Sequence, residues 1–145
     1  MKTKASSPAS EVRERAFVRI TPAGLSAPAA YSHGVLVTAH APCLYVTGQV
    51  GVDAAGRLGA SFEEQAEIAC TNLLAILQAA GMTASDLVQT TAYLTRSADI
   101  PAWRTVRQRL LPSSYPASTL LVVAALAHPD WHVEIDAVAA LRPGV

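Results

Sequence analysis

Apolar residues recur along this chain at two different periods, and the alternation between them predicts the order of its elements. From Ser61 onward, Phe62, Ala66, Ala69, Leu73, Ile76, Leu77 and Ala80 fall at steps of three and four, which is one stripe of a helix. Ser61 and Glu64 stand in S-x-x-E spacing and predict a capping box, and Gly81 ends the pattern. A second helix is predicted over about 100–111, with Asp99 as its N-cap, Pro101 in its first turn and Pro112 closing it. Its apolar face is Trp103, Val106 and Leu110.

Elsewhere the period is two or the apolar runs are short. Strands are predicted at 17–20, 34–37, 44–48, from about 87 to 95, at 119–125 and at 132–140. The last alternates cleanly, with Val133, Ile135, Ala137 and Ala139 on one side and His132, Glu134, Asp136 and Val138 on the other. Residues 21–30 and 50–59 read as loops, the second turning at Asp53–Gly56. The order β-β-β-α-β-α-β-β predicts an α+β domain with both helices on one face of a sheet.

Composition narrows the class. The chain of 145 residues suits a flexible lead-in over 1–14 followed by a single domain over 15–145. Hydrophobic residues are 51% and charged residues 15%, enough for a generous core and for an apolar surface that a partner subunit covers. Eleven Lys+Arg balance eleven Asp+Glu, so no basic excess drives phosphate binding, which counts against nucleic acid as a partner. The first residues lack the apolar core of a secretory signal, and the longest apolar run, 120–127, is strand-sized; a cytoplasmic, membrane-free protein is expected. Cys43 and Cys70 fit no metal or redox spacing and read as reduced thiols, and His33, His40, His128 and His132 show no zinc-binding spacing. No metal or organic cofactor is called for, and no G-x-S-x-G elbow suggests a serine hydrolase.

Four segments carry a more specific signal: Tyr31-Ser-His-Gly34-Val, Leu44-Tyr-Val-Thr-Gly48-Gln49-Val, Phe62-Glu-Glu-Gln65 continuing through Asn72 to Gly81, and Pro116-Ala-Ser-Thr119 followed by Val133-Glu134-Ile-Asp-Ala137-Val. In this order and spacing, over 31–141, the chain resembles the RidA/YjgF family of enamine/imine deaminases. The resemblance implies a chorismate-mutase-like α+β fold, with a six-stranded mixed sheet and two helices on one face. It also implies a homotrimer with small-molecule sites in the clefts between subunits. The implied reaction is hydrolysis of a reactive enamine or imine of a short 2-keto acid, without a cofactor.

The implied site residues are Glu134 and Ser118 as the catalytic positions, with Tyr31, Gly48, Gln49, Ala117 and Thr119 binding substrate. Glu134 matches the family's proton-handling carboxylate; read locally, it could equally be an exposed charge on an edge strand. Tyr31 matches a cleft-lining tyrosine or is a loop aromatic packed on the sheet. Gly48 with Gln49 either lets backbone N–H groups approach a ligand or marks a bulge. Ser118 stands where the family carries the arginine that grips the substrate carboxylate, replacing a two-pronged cation by one neutral hydroxyl. Arg104 and Arg107 on the second helix could restore that charge or could flank it in solvent. The substrate is therefore expected to differ from the usual 2-aminoacrylate type. The alternatives are a non-catalytic small-molecule-binding trimer and, further off, an endoribonuclease or translation inhibitor.

Overall fold

The computed structural model describes residues 17–20, 32, 34–37, 41–112 and 115–141; the expected lead-in, Tyr31, His33 and His40 lie outside them. Its elements are β1 (Phe17–Ile20), β2 (Gly34–Val37), β3 (Cys43–Val50), α1 (Phe62–Ala79), β4 (Leu87–Leu94), α2 (Ile100–Leu110), β5 (Ala117–Val122) and β6 (Val133–Ala140). This is the predicted order, and the fold is α+β. Among the described residues the six strands fall into two groups, joined by a bridge. β1 and β2 make an antiparallel ribbon, and the other four form a mixed sheet in the order β3-β6-β4-β5. A parallel bridge, Ser32 to Ala117, joins the two near the start of β5. The ribbon also meets the sheet through side chains, Phe17 packing with Val88 and Ala140.

In the four-stranded sheet β6 is central, antiparallel to both β3 and β4, while β5 pairs parallel with β4. The alternation read from the sequence holds: Val133, Ile135, Ala137 and Ala139 are buried and Glu134, Asp136 and Val138 are half-buried. The buried row faces the helices, packing in one cluster with Phe62, Ala66, Ala69, Leu73 and Leu77 of α1 and Trp103 and Val106 of α2. Each fully buried leucine here contributes about 2 kcal/mol of transfer free energy.

Helix α1 begins as predicted at one end of its capping box but not at the other. The Ser61 hydroxyl accepts from the Glu64 N–H at 3.1 Å. Glu64, instead of returning to Ser61, accepts from the Ala60 N–H at 2.7 Å and from Arg57 at 2.8 Å. The preceding loop explains the change. The Asp53 carboxylate accepts from the Ala55 and Arg57 N–H groups, Gly56 turns the chain at φ 79°, and Arg57 is delivered to Glu64. Both carboxylates are held below their ordinary pKa, Asp53 chiefly by the Arg57 N–H and Glu64 chiefly by the Ala60 N–H.

Asp99 holds the N-cap position of α2, but its carboxylate bonds Arg96 at 2.8 Å and caps nothing. A turn of 3-10 helix over Ser97–Asp99 leads in, so Asp99 already has helical backbone (φ −85°, ψ −5°), and a side chain there does not reach the N–H groups ahead of it. β5 runs 117–122 rather than the expected 119–125, because its parallel partner β4 ends at Leu94 opposite Val122.

Candidate functional site

The side of the four-stranded sheet away from the helices carries the polar chemistry. Between Val46↔Ala137 and Gln49↔Ile135 the β3–β6 register skips, so Thr47 and Gly48 together face Asp136: a β-bulge. The bulge sets Gly48 beneath the Glu134 side chain. A Cβ added at Gly48 would stand 2.7 Å from Cδ of Glu134 and 2.9 Å from its Cγ, closer than atoms tolerate. Glycine is thus required at 48 to make room for this carboxylate. Glu134 lies on the central strand and is half-buried, which removes the edge-strand reading of it.

Two further groups complete this face. Tyr93 on β4 stands directly across from Glu134, and Thr91 across from Asp136. The Tyr93 hydroxyl donates to Asp136 Oδ2 at 2.8 Å, leaning diagonally away from its own partner and leaving the Glu134 carboxylate over Gly48. That bond to an anion favours the neutral phenol and, with Glu134 nearby, raises the Tyr93 pKa. Sequence reasoning missed Tyr93 because which β4 residue faces Glu134 depends on the β4–β6 register. The only available signal was that Asp136 shares the polar side of β6.

The other expected residues divide. Thr119 pairs across from Thr91 and so lies on the same open face, exposed. Ala117 opens β5 at the bridge to Ser32. Gln49 donates to the Thr47 carbonyl at 3.1 Å, across the bulge. Ser118 goes the other way. It pairs with Thr90, which in turn pairs with the buried Ala137, so Thr90 and Ser118 sit on the helix side. The buried Thr90 hydroxyl donates to Ser118 Oγ at 3.2 Å. Within one chain, therefore, Ser118 and Glu134 lie on opposite faces of the sheet.

A pocket of about 440 Å³ opens elsewhere, at the start of α1, between Leu58, Ser61, Phe62, Arg96, Asp130 and His132. None of the expected site residues lines it, and its polar groups are engaged. Buried Gln65 donates to the Asp130 carbonyl at 3.0 Å and accepts the His132 N–H at 2.9 Å, and Arg96 pairs with Asp99. Among the described residues no group of His, Cys, Asp and Glu is arranged to hold a metal ion. Among the same residues no helix is long and apolar enough to cross a membrane.

With this geometry in place, comparison with known proteins is decisive for the family. The family model described as endoribonuclease L-PSP matches residues 21–141. The chain belongs to that family, the RidA/YjgF proteins. Among curated relatives of this RidA-family chain, the goat 2-iminobutanoate/2-iminopropanoate deaminase is 38% identical over 122 residues, 81% of this chain and 86% of that protein. The human protein of the same name is 34% identical over 115 residues, 78% and 81% of the two chains. Among solved structures, a Rid-family protein of Yersinia pestis superposes with a TM-score of 0.76 at 27% identity, over 87% of this chain and 99% of that one. RidA from an Antarctic Psychrobacter gives a TM-score of 0.65 at 32% identity, over 80% and 92%. The sequence resemblance and the α+β fold it implied are thereby borne out.

Proposed function

We propose that this RidA-family chain hydrolyses a reactive enamine or imine to a carbonyl product and ammonia. The observation that carries the reading is the Glu134 carboxylate held over Gly48, in a chain 34–38% identical to relatives named as imine deaminases. Glu134 takes a proton from water as the oxygen attacks the imine carbon, then returns it to nitrogen. The carbinolamine collapses, its C–N bond breaks, and ketone and ammonia leave: one C=N and one water become one C=O and one NH3.

The working unit in this reading is a homotrimer, with sites shared between subunits. Support comes from the open face of the sheet, where Tyr45 is 78% exposed and Leu121 44%. Further support comes from Ser118 and Glu134 lying on opposite faces, so that a site using both needs two copies. Ser118, Ala117 and Thr119 orient the ligand from β5, and Tyr31 walls the cleft. With a neutral hydroxyl at 118, the substrate differs from the usual imine of 2-aminoacrylate, whose carboxylate calls for a two-pronged cation there. The protein acts in the cytoplasm and needs no cofactor. A non-catalytic binding trimer is the second reading, favoured by the same neutral hydroxyl, which accepts from Thr90. Zero net charge counts against ribonuclease activity in spite of the family's name.

The test is a coupled assay. Threonine dehydratase supplies 2-aminocrotonate, and release of 2-oxobutanoate is followed with this protein and with Ser118→Arg. Acceleration by either supports a deaminase site. Tight ligand retention without turnover across an enamine and imine panel moves the assignment to the binding trimer.

A further inference from the structure

Asp136 is a charged residue of the open face to which the reaction above gives no task. It stands two positions after Glu134 on β6, on the same side of the strand, and both are half-buried. Strand geometry sets their Cα atoms about 6.7 Å apart. Among the described residues no Lys, Arg or His pairs with either carboxylate. The cross-strand neighbours of the pair are Thr47, Gly48 and Val50 on β3 and Thr91 and Tyr93 on β4, none of them a cation. Two anions drawn partly out of water at this spacing, with no counter-ion, are costly to hold.

Tyr93 gives the second carboxylate a fixed direction. Its backbone is registered opposite Glu134, yet its hydroxyl reaches diagonally to Oδ2 of Asp136 at 2.8 Å. The other oxygen, Oδ1, accepts no hydrogen bond among the described residues. Both carboxylate charges bear on the phenol, so the three groups converge over one patch of the sheet. Gly48 keeps that patch clear on the β3 side, since any side chain there would collide with Glu134.

We propose that Asp136, aimed by Tyr93, is a further catalytic residue of the Glu134 site, and that the substrate is taken as a protonated imine. Oδ1 of Asp136 faces the cationic nitrogen while Glu134 faces the water, and carboxylates at this spacing leave room for both. Tyr93 touches Asp136 and not the substrate, and is a positioning residue. The inference rests on the imine-hydrolase reading and adds to it the charge state of the substrate. A fixed anion beside nitrogen favours the iminium form, whose carbon is the better electrophile. Water adds to that carbon as one of its protons passes to Glu134 and the C=N π pair goes to nitrogen. Glu134 returns the proton to nitrogen and then takes the hydroxyl proton as the C–N bond breaks. One iminium ion and one water thus give one ketone and one ammonium ion.

The test is binding, with turnover as a separate readout. The probe is butyramidine, a planar amidinium that stays cationic at neutral pH, with butyramide as its neutral isostere. Both are titrated calorimetrically into the unaltered protein, Asp136→Asn, Tyr93→Phe and Glu134→Gln. Expected are binding of the amidine with the amide at least ~10-fold weaker, loss of that preference in Asp136→Asn and partial loss in Tyr93→Phe. Glu134→Gln should weaken the amidine less than Asp136→Asn does, a ranking that a merely structural pair would not produce. On the unaltered protein, saturating amidine should lower the pH at which Tyr93 ionises, read by NMR of carbon-labelled tyrosine, which keeps the test independent of how the variants fold. No amidine binding by the unaltered protein, equal binding of the amide, or undiminished amidine affinity in Asp136→Asn overturns the proposal. A cation from a second subunit seated on the pair would show itself as the first of these. If Asp136-dependent amidine binding is found but no imine is turned over, the hydrolase reading fails and the cation site stands. If turnover is found and is indifferent to Asp136→Asn, the reverse holds.

Discussion

The Glu134 carboxyl group fills the space that any side chain at Gly48 would enter, with its Cδ 2.7 Å from where a Cβ would be. Because the obstructing atoms end a flexible, half-buried side chain, Gly48→Ala is expected to displace the carboxylate rather than break the fold. Turnover should fall ~10²-fold, comparable with Glu134→Gln, while thermal stability changes by no more than ~1 kcal/mol. In a Glu134→Gln background the second substitution should add little to the loss of rate, a non-additivity that a double-mutant cycle measures directly. Full additivity would mean that Gly48 serves the strand and not the carboxylate.

Tyr93 and Asp136 give a titration that needs no substrate. The phenol is raised chiefly by its hydrogen bond to the Asp136 carboxylate, so Asp136→Asn should bring its pKa down toward the ordinary tyrosine value, read from near-ultraviolet absorbance against pH. The sign for stability follows. A tyrosine raised in the folded state contributes stability present below its unfolded pKa of about 10, lost as pH rises through the folded value. The unaltered protein should therefore lose stability across that alkaline range, and Asp136→Asn should lose less.

The two cysteines should label very unequally. Cys43 is exposed and Cys70 is buried, its thiol pushed up to about 12 by burial despite Arg107 and Arg109 nearby. Mildly alkaline iodoacetamide should modify Cys43 alone in the native protein and Cys70 only after denaturation, as peptide mass spectrometry will show. Rapid native labelling of Cys70 would mean that the contact between α1 and α2 opens readily.

Gln65 is 3% exposed and ties the start of α1 to the segment entering β6, bonding the Gly59 and Asp130 carbonyls and the His132 N–H. Gln65→Leu strips partners from buried backbone groups and should cost ~2–3 kcal/mol in urea unfolding. A near-neutral result would show that water takes over those bonds.

What was legible in the sequence was everything a local period can encode. The α1 stripe, the Ser61 cap and the alternation of β6 are each set by residues a few positions apart. Sheet order is not: that β6 lies between β3 and β4, and that β5 pairs parallel with β4, depends on pairings between distant segments. The same limit hid Tyr93, whose place opposite Glu134 is a matter of register, and it hid the opposite orientations of Ser118 and Glu134. The misjudged caps failed for a different reason. Asp53, through Arg57, drew Glu64 away from Ser61, and Arg96 claimed Asp99, so each carboxylate took the stronger nearby donor.

The central position of β6 bears on how the molecule is made. Of the six strands it is the last to be synthesised, yet it supplies the antiparallel ladder on which both β3 and β4 depend. Until it emerges, β3 has no neighbour in the sheet, and the apolar stripe of α1 has no row of Val133, Ile135, Ala137 and Ala139 to cover. Until then that stripe can pack only on β3, β4 and α2, so part of it waits exposed, the condition under which chaperones are recruited.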